Sequence, residues 1–89
     1  MEHRLHARRA ADFSVRLVQG GQVIAIVQAI DISSDGLRVE CPDVILNNGQ
    51  RVDVDFFKSG HPRGIRRIVP SMVVHAGPNA VGLILAYDL

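Results

Sequence analysis

The sequence predicts an all-β fold, a six-stranded antiparallel β-barrel, on three observations. Valine and isoleucine dominate a composition that is 47% hydrophobic, and such β-branched residues favour strands. Apolar and polar residues alternate in several short segments, and no segment has a convincing helical spacing. Turn-forming residues separate these segments at short intervals. In a chain of 89 residues, closing the sheet into a small barrel is the usual way to protect its edges.

The first two predicted strands form a hairpin. Residues 12–18 alternate between apolar and polar side chains, which indicates a half-buried strand. Gly20 and Gly21 then supply a two-residue hairpin turn. The returning strand, residues 22–30, is apolar at nearly every position, so we expect it to be buried on both faces, or covered on one side by the N-terminal segment or a partner.

A polar turn over residues 32–35 leads into the third predicted strand. Gly36 ends the turn, and we expect the backbone there to need a conformation that a Cβ atom would penalise. Leu37, Val39 and Cys41 then alternate with charged residues, which predicts that Cys41 is a small buried core residue.

Three further strands complete the predicted barrel. One alternates apolar residues with Asp53 and Asp55, which we expect to face solvent. The next, residues 65–75, contains Pro70, which implies an edge position, a bulge or a split strand. The last covers residues 81–85, after a turn that contains glycine, proline and asparagine.

Charge and cysteine content limit the possible function classes. The net charge is +1, so overall charge gives no reason to expect DNA or RNA binding. With a single cysteine the chain can form no internal disulfide, and a reducing cytoplasm is the simplest location. The sequence starts without an apolar leader and its longest apolar run is too short to cross a bilayer, so we expect no membrane insertion.

Residues 1–11 are charged and carry no strand pattern, so we interpret them as a flexible N-terminal arm before a barrel over residues 12–89. The arm contains Arg4 and Arg8 in the spacing Arg-x-x-x-Arg. Arginine can form two hydrogen bonds to guanine O6 and N7, bind a phosphate, or stack on a base.

A second motif, Asp-x-Ser-x-x-Gly, places Asp31, Ser33 and Gly36 at the junction of two predicted strands. A carboxylate can accept hydrogen bonds from N1 and N2 of guanine, and a serine hydroxyl can donate to a phosphate or a base. Taken alone, each motif is common, because arginines recur in basic tails and aspartate and serine favour turns.

Together, in this order and in this strand context, the two motifs resemble the signature of PilZ domains, the bacterial receptors for cyclic di-GMP. The resemblance covers most of the chain and implies a six-stranded barrel with an arginine arm outside it. It implies that cyclic di-GMP is the ligand, bound by Arg4, Arg8, Asp31, Ser33 and Gly36. It also implies a non-enzymatic receptor that moves its arm on binding and signals to a protein effector, with no cofactor.

Two further arginines are candidates for auxiliary roles at this site. Arg9 follows the first motif directly, and surface exposure is the simpler interpretation for it. Arg38 shares a strand face with Glu40 and could line the site or pair with a neighbour.

The sequence also bears on three other function classes. An adaptor of the same fold could act through protein contacts alone. A small barrel could bind single-stranded nucleic acid, but such barrels stack bases on exposed aromatic residues, and this chain has only four aromatic residues. The sequence shows no catalytic constellation, and its four histidines have no metal-site spacing, so we expect neither an enzyme nor a metal protein.

Overall fold

The computed structural model describes residues 8–57 and 68–86, and this part of the chain is all-β. Seven strands follow one another: β1 (Arg9–Ala10), β2 (Ser14–Gln19), β3 (Gln22–Ile32), β4 (Gly36–Glu40), β5 (Arg51–Asp55), β6 (Ile68–Ala76) and β7 (Ala80–Leu85). All of their pairings are antiparallel, in the order β1-β3-β2-β5-β6-β7-β4, and a β3–β4 pairing closes the barrel. The predicted six-stranded barrel is confirmed, with β1 as an additional short strand.

The core is aliphatic and is built by the inward-facing positions of the strands. The largest fully buried side chains are those of Leu17, Leu37, Leu83, Val15, Val39, Val54, Val69 and Val73. Phe13 and Phe56 add an aromatic contact, with ring centroids 6.1 Å apart. Fully burying one such side chain contributes about 1.5–3 kcal/mol, so the alternation read from the sequence is what holds this fold together.

The predicted hairpin turn at Gly20 and Gly21 is confirmed, and Gly49 lies in a further turn. Gly20, Gly21 and Gly49 all have positive φ angles, 61°, 80° and 88°, which side chains other than glycine rarely adopt. The β2–β3 hairpin therefore depends on both of its glycines. Pro70 lies within a continuous β6, and its carbonyl accepts from the Ala86 amide at 2.8 Å. Proline has no amide hydrogen to donate, but the β6–β7 ladder begins one residue later, at Ser71. The missing donor therefore lies outside this ladder, and the strand is neither split nor bulged there.

One of two alternatives for β3 and one prediction about β1 are wrong. β3 is not buried on both faces, because Val23 and Ile26 are 52% and 61% exposed, while a cover from the N-terminal segment or a partner stays a prediction. The apolar run reflects strand propensity there rather than burial. Arg9 and Ala10, which the sequence places in an arm without strand pattern, form β1 opposite Ile32 and Asp31.

Two predictions about burial outside β3 are also wrong. Cys41 is exposed, because β4 ends one residue earlier, and its thiol donates to the Gly77 carbonyl at 3.1 Å. Asp55 is buried rather than solvent-facing, at 5% exposure. Its carboxylate lies 3.6 Å from Arg16, whose guanidinium stacks 4.0 Å from the centre of the Phe57 ring.

Candidate functional site: an arginine pair around Asp31

Asp31 lies where β3 has a neighbour on each side. On one side it is opposite Ala10 of β1, and on the other it is opposite Arg38 of β4. Arg8 immediately precedes β1, so the same pairing brings its side chain to the Asp31 carboxylate. The two predicted motifs therefore meet because the start of the chain forms a strand against the end of β3.

Both oxygens of the Asp31 carboxylate are held by arginine. Oδ1 accepts from Nε of Arg8 at 2.7 Å, and Nη2 of Arg8 is also 2.7 Å away. Oδ2 accepts from Nε and Nη2 of Arg38 at 3.1 Å and 2.5 Å. Three of these contacts are hydrogen bonds and the fourth, from Nη2 of Arg8, is an ion-pair contact, so both carboxylate oxygens are engaged. Such charge-assisted contacts through two nitrogens of one guanidinium are among the stronger hydrogen bonds in proteins.

The charge of Asp31 is secured by these partners. Burial of the carboxyl group alone would raise its pKa, but the hydrogen bonds from Arg8 and Arg38 and the charges of both outweigh that effect. The pKa of Asp31 is therefore held below its ordinary value of 3.8. Near neutral pH the cluster consists of one carboxylate between two guanidinium groups, which leaves an excess of one positive charge.

Ser33 shapes the turn between β3 and β4. Its Oγ accepts from the Gly36 amide at 3.1 Å and donates to Oδ1 of Asp35 at 3.1 Å. Its own amide donates to the Gly36 carbonyl at 2.9 Å. The serine thus fixes the path of the backbone between Asp31 and Gly36, which is the structural role expected of serine in a turn.

Gly36 is favoured by its close surroundings and not by its backbone angles. It is absent from the glycines with positive φ, so the predicted conformational reason is wrong. A Cβ atom here would lie 3.3 Å from Nη1 of Arg8, 3.4 Å from Oγ of Ser33 and 3.5 Å from the Leu83 carbonyl oxygen. The glycine therefore leaves the space in which the Arg8 guanidinium sits.

An open cleft of about 370 Å³ lies beside this cluster. Its lining comes from β4, β6 and β7 together with Arg8 and the turn residue Asp35: Arg8, Asp35, Gly36, Leu37, Arg38, Val74, His75, Gly82, Leu83 and Ile84. The exposed side chains of Val74 and Ile84 give it an apolar side, while the two arginines give it a cationic side. A flat, anionic ligand with aromatic bases would find both kinds of contact here.

Sequence reasoning found part of this site. It placed Arg8, Asp31 and Gly36 together and named Arg38 as a candidate, which here contacts Asp31. Arg4 lies outside the described residues. Arg9 is exposed in β1 and is not among the described residues that line the cleft.

The cleft residues on β6 and β7 were missed. Val74, His75 and Ile84 occupy ordinary strand positions, and no local motif distinguishes them. The usable signal was topological, because β4 runs between β3 and β7 and so brings β7 next to the second motif.

Two findings concern other classes of site. Within residues 8–57 and 68–86, no three histidine, cysteine or acidic side chains form a group that could hold a metal ion. The same part of the chain has no helix with the length and apolar character needed to cross a membrane.

Comparison with protein families identifies the domain type. The family model of the PilZ domain matches residues 2–87. The chain belongs to the PilZ domain family. PilZ domains form a family of cyclic di-GMP-binding and adaptor domains, and the motifs that resemble its signature are the ones that meet at Asp31. No curated protein matches the chain in sequence.

Proposed function

We propose that this PilZ domain is a cytoplasmic receptor for cyclic di-GMP that has no enzymatic activity. The observation that carries the proposal is the contact between Arg8 and Asp31, which joins the two sequence motifs at one point beside a cleft. The proposed ligand contacts are Arg4, Arg8, Asp31, Ser33 and Gly36, with Arg38 as an additional contact and Arg9 as a peripheral charge.

The chemistry of the cluster matches that of the ligand. Cyclic di-GMP carries two phosphates, which the guanidinium groups of Arg8 and Arg38 can bind, although the Asp35 carboxylate also lines the cleft. Its two guanines offer acceptors at O6 and N7 to arginine and flat faces to both guanidinium groups and apolar side chains. Arg8 and Arg38 both line the cleft, and their side chains are 29% and 51% exposed, so both can reach a ligand placed there.

The occupied carboxylate suggests how binding proceeds. We expect Asp31 to accept from guanine N1 and N2 after a guanidinium leaves one of its oxygens, because each oxygen already contacts an arginine. The arginine that leaves then becomes available to the ligand itself. We expect Arg38 to move first, because its side chain is 51% exposed whereas that of Arg8 is 29% exposed.

The signal would pass through the start of the chain. β1 has only two residues and pairs only with β3 among the described strands, so it is the least supported element of the sheet. A ligand that binds Arg8 would change the free energy with which β1 pairs with β3, and with it the surface near β1. The partner that reads this change is proposed to be a protein effector, and no DNA, RNA or membrane insertion is proposed.

Calorimetric titration with cyclic di-GMP tests the proposal directly, with GTP and cyclic di-AMP as controls. Saturable heat with cyclic di-GMP alone is the expected result. If no ligand gives heat at high micromolar concentration, the receptor proposal fails. The same experiment with Arg8→Ala then separates a ligand site from a structural cluster.

One alternative has an observation in its favour. Asp31 is fully satisfied by two arginines of its own chain, as it would be in an adaptor whose cluster serves only the fold. For the other alternative, single-stranded nucleic acid binding, the aromatic residues offer little support. Phe56 is buried, Phe13 packs against the core, and Phe57 lies against Arg16, while Tyr87 lies outside the described residues.

A further inference from the structure

The first part of β3 has one open edge. Residues 22–28 pair with β2, whereas β4 first pairs with β3 at Ala29 and β1 first pairs with it at Asp31. Among residues 8–57 and 68–86, no strand therefore pairs with the other edge of residues 22–28. An open edge presents unpaired amide and carbonyl groups, to which another extended strand can hydrogen-bond.

This edge lacks most of the features that normally prevent association. Residues 22–30 contain no charged residue, no proline and no glycine. Val23 and Ile26, on this segment, are 52% and 61% exposed. Natural edge strands are usually protected by lysine, proline, bulges or short length, and here only a register shift opposite Leu17 and Val18 is present. An apolar edge of this kind needs a cover.

The sequence of the edge indicates what that cover is. Residues 22–28 read Gln-Val-Ile-Ala-Ile-Val-Gln, which is the same in both directions about Ala25. In an antiparallel pairing of two copies centred on Ala25, glutamine lies opposite glutamine, valine opposite valine and isoleucine opposite isoleucine. Matched β-branched pairs stabilise neighbouring strands, and a two-fold axis requires this self-complementarity.

We propose that two copies of this domain associate edge to edge through residues 22–28 of β3, antiparallel about a two-fold axis at Ala25. The register shift opposite Leu17 and Val18 makes Ile24 an extra residue of β3, next to Ala25, and increases the local twist, so we expect the shared ladder to be short. The proposal does not rest on ligand binding, because Asp31 lies at the far end of β3 and already has β1 and β4 as neighbours.

Sedimentation equilibrium of the full chain tests the association, with two matched variants. Ile26→Lys places a charge at an exposed position of the open edge. Met72→Lys places the same charge at an exposed position of β6, which is paired on both sides by β5 and β7. We expect the mass of two chains for the unaltered protein and Met72→Lys, and the mass of one chain for Ile26→Lys, with thermal melts checking that both variants fold.

Cross-linking then tests the register. In a Cys41→Ser background, Ala25→Cys would face its own copy across the axis. Directly opposed residues of antiparallel strands have Cα atoms about 4.5–5.5 Å apart, which suits a disulfide. We expect a reducible covalent dimer for Ala25→Cys and none for Met72→Cys.

Three results would overturn the proposal. One is the mass of a single chain at the highest soluble concentration. Another is a dimer that does not follow the expected pattern of variants. A dimer that survives Ile26→Lys would exclude the open edge of β3, and a dimer lost with Met72→Lys would place the contact on the β6 face. The third is a dimer in which Ala25→Cys does not cross-link, which excludes the two-fold register.

Discussion

Arg8 and Asp31 are 23 positions apart in the sequence, and Nε of Arg8 lies 2.7 Å from Oδ1 of Asp31. This contact makes the arginine both a part of the fold and a proposed ligand contact. Its removal should therefore affect stability and binding separately, and the two effects can be measured on the same variant.

Arg8→Ala is expected to weaken cyclic di-GMP binding roughly 10- to 150-fold, since a hydrogen bond to a charged group contributes about 1.5–3 kcal/mol. It should lower the free energy of unfolding by only about 1 kcal/mol, because Arg38 still pairs with Asp31. Calorimetry and urea denaturation measure the two effects. Arg51→Ala, at an exposed position of β5 that does not line the cleft, is the matched control and should change neither. Equal binding by the two variants would remove Arg8 from the ligand site.

Asp31→Ala distinguishes recognition from simple charge. If the carboxylate positions the arginines and accepts from guanine, the variant should bind cyclic di-GMP much more weakly than the unaltered domain. Simple electrostatics predicts the opposite, because losing a negative charge should favour an anionic ligand. Asp35→Asn is the control, since it removes a carboxylate that lines the same cleft without touching the arginine contacts. Tighter binding by Asp31→Ala, measured at low salt, would contradict the assignment.

Acid should remove the stabilising effect of the Asp31 cluster over a defined range of pH. The pKa of Asp31 is lowered in the folded state, so its ionised form favours folding above the ordinary value of 3.8. This contribution is complete above about pH 4–5 and is lost as the pH falls through the lower folded-state pKa. Urea denaturation of the unaltered domain and Asp31→Asn at several pH values measures the difference between them. A difference that grows below pH 4 would have the wrong sign.

Gly36→Ala is expected to weaken ligand binding by moving the Arg8 guanidinium, with little loss of stability. The added Cβ would lie 3.3 Å from Nη1 of Arg8, and the end of a long side chain can shift by a few tenths of an ångström. A double-mutant cycle with Arg8→Ala checks the mechanism. If the methyl group acts through Arg8, Gly36→Ala should have no further effect on affinity once Arg8 is absent. Independent, additive effects would mean that the methyl group blocks the ligand directly.

The sequence was sufficient for the barrel because its strands alternate and its turns contain glycine where φ is positive, as at Gly20 and Gly21. The sequence-based prediction failed where the burial of a side chain depends on which strand lies next to it. Asp55 is buried because Arg16 on β2 lies opposite it, and Ile26 is exposed because no described element covers its face of β3. No local pattern contains either fact, since both depend on strand order.

The site was predictable to the extent that its residues lie in two compact motifs. The contact of both Arg8 and Arg38 with the Asp31 carboxylate was not predictable, because Arg38 reaches it only through the register of β4 against β3. The apolar side of the cleft was also hidden, since Val74 and Ile84 come from strands that the motifs do not include.

The shortness of β1 has a consequence for the kinetics of this domain. In the described part of the chain, three features hold this segment to the barrel. They are the pairing of two residues with β3, the hydrogen bond from the Ala11 amide to the Ile30 carbonyl, and the contact of Arg8 with Asp31. Elements with so few contacts open by local unfolding far more often than the core does. Amide hydrogen exchange at Ala11 should therefore be faster than at Val73, whose amide belongs to a strand paired on both sides. The ratio of the two exchange rates would measure how much more readily the start of the chain opens than the core does.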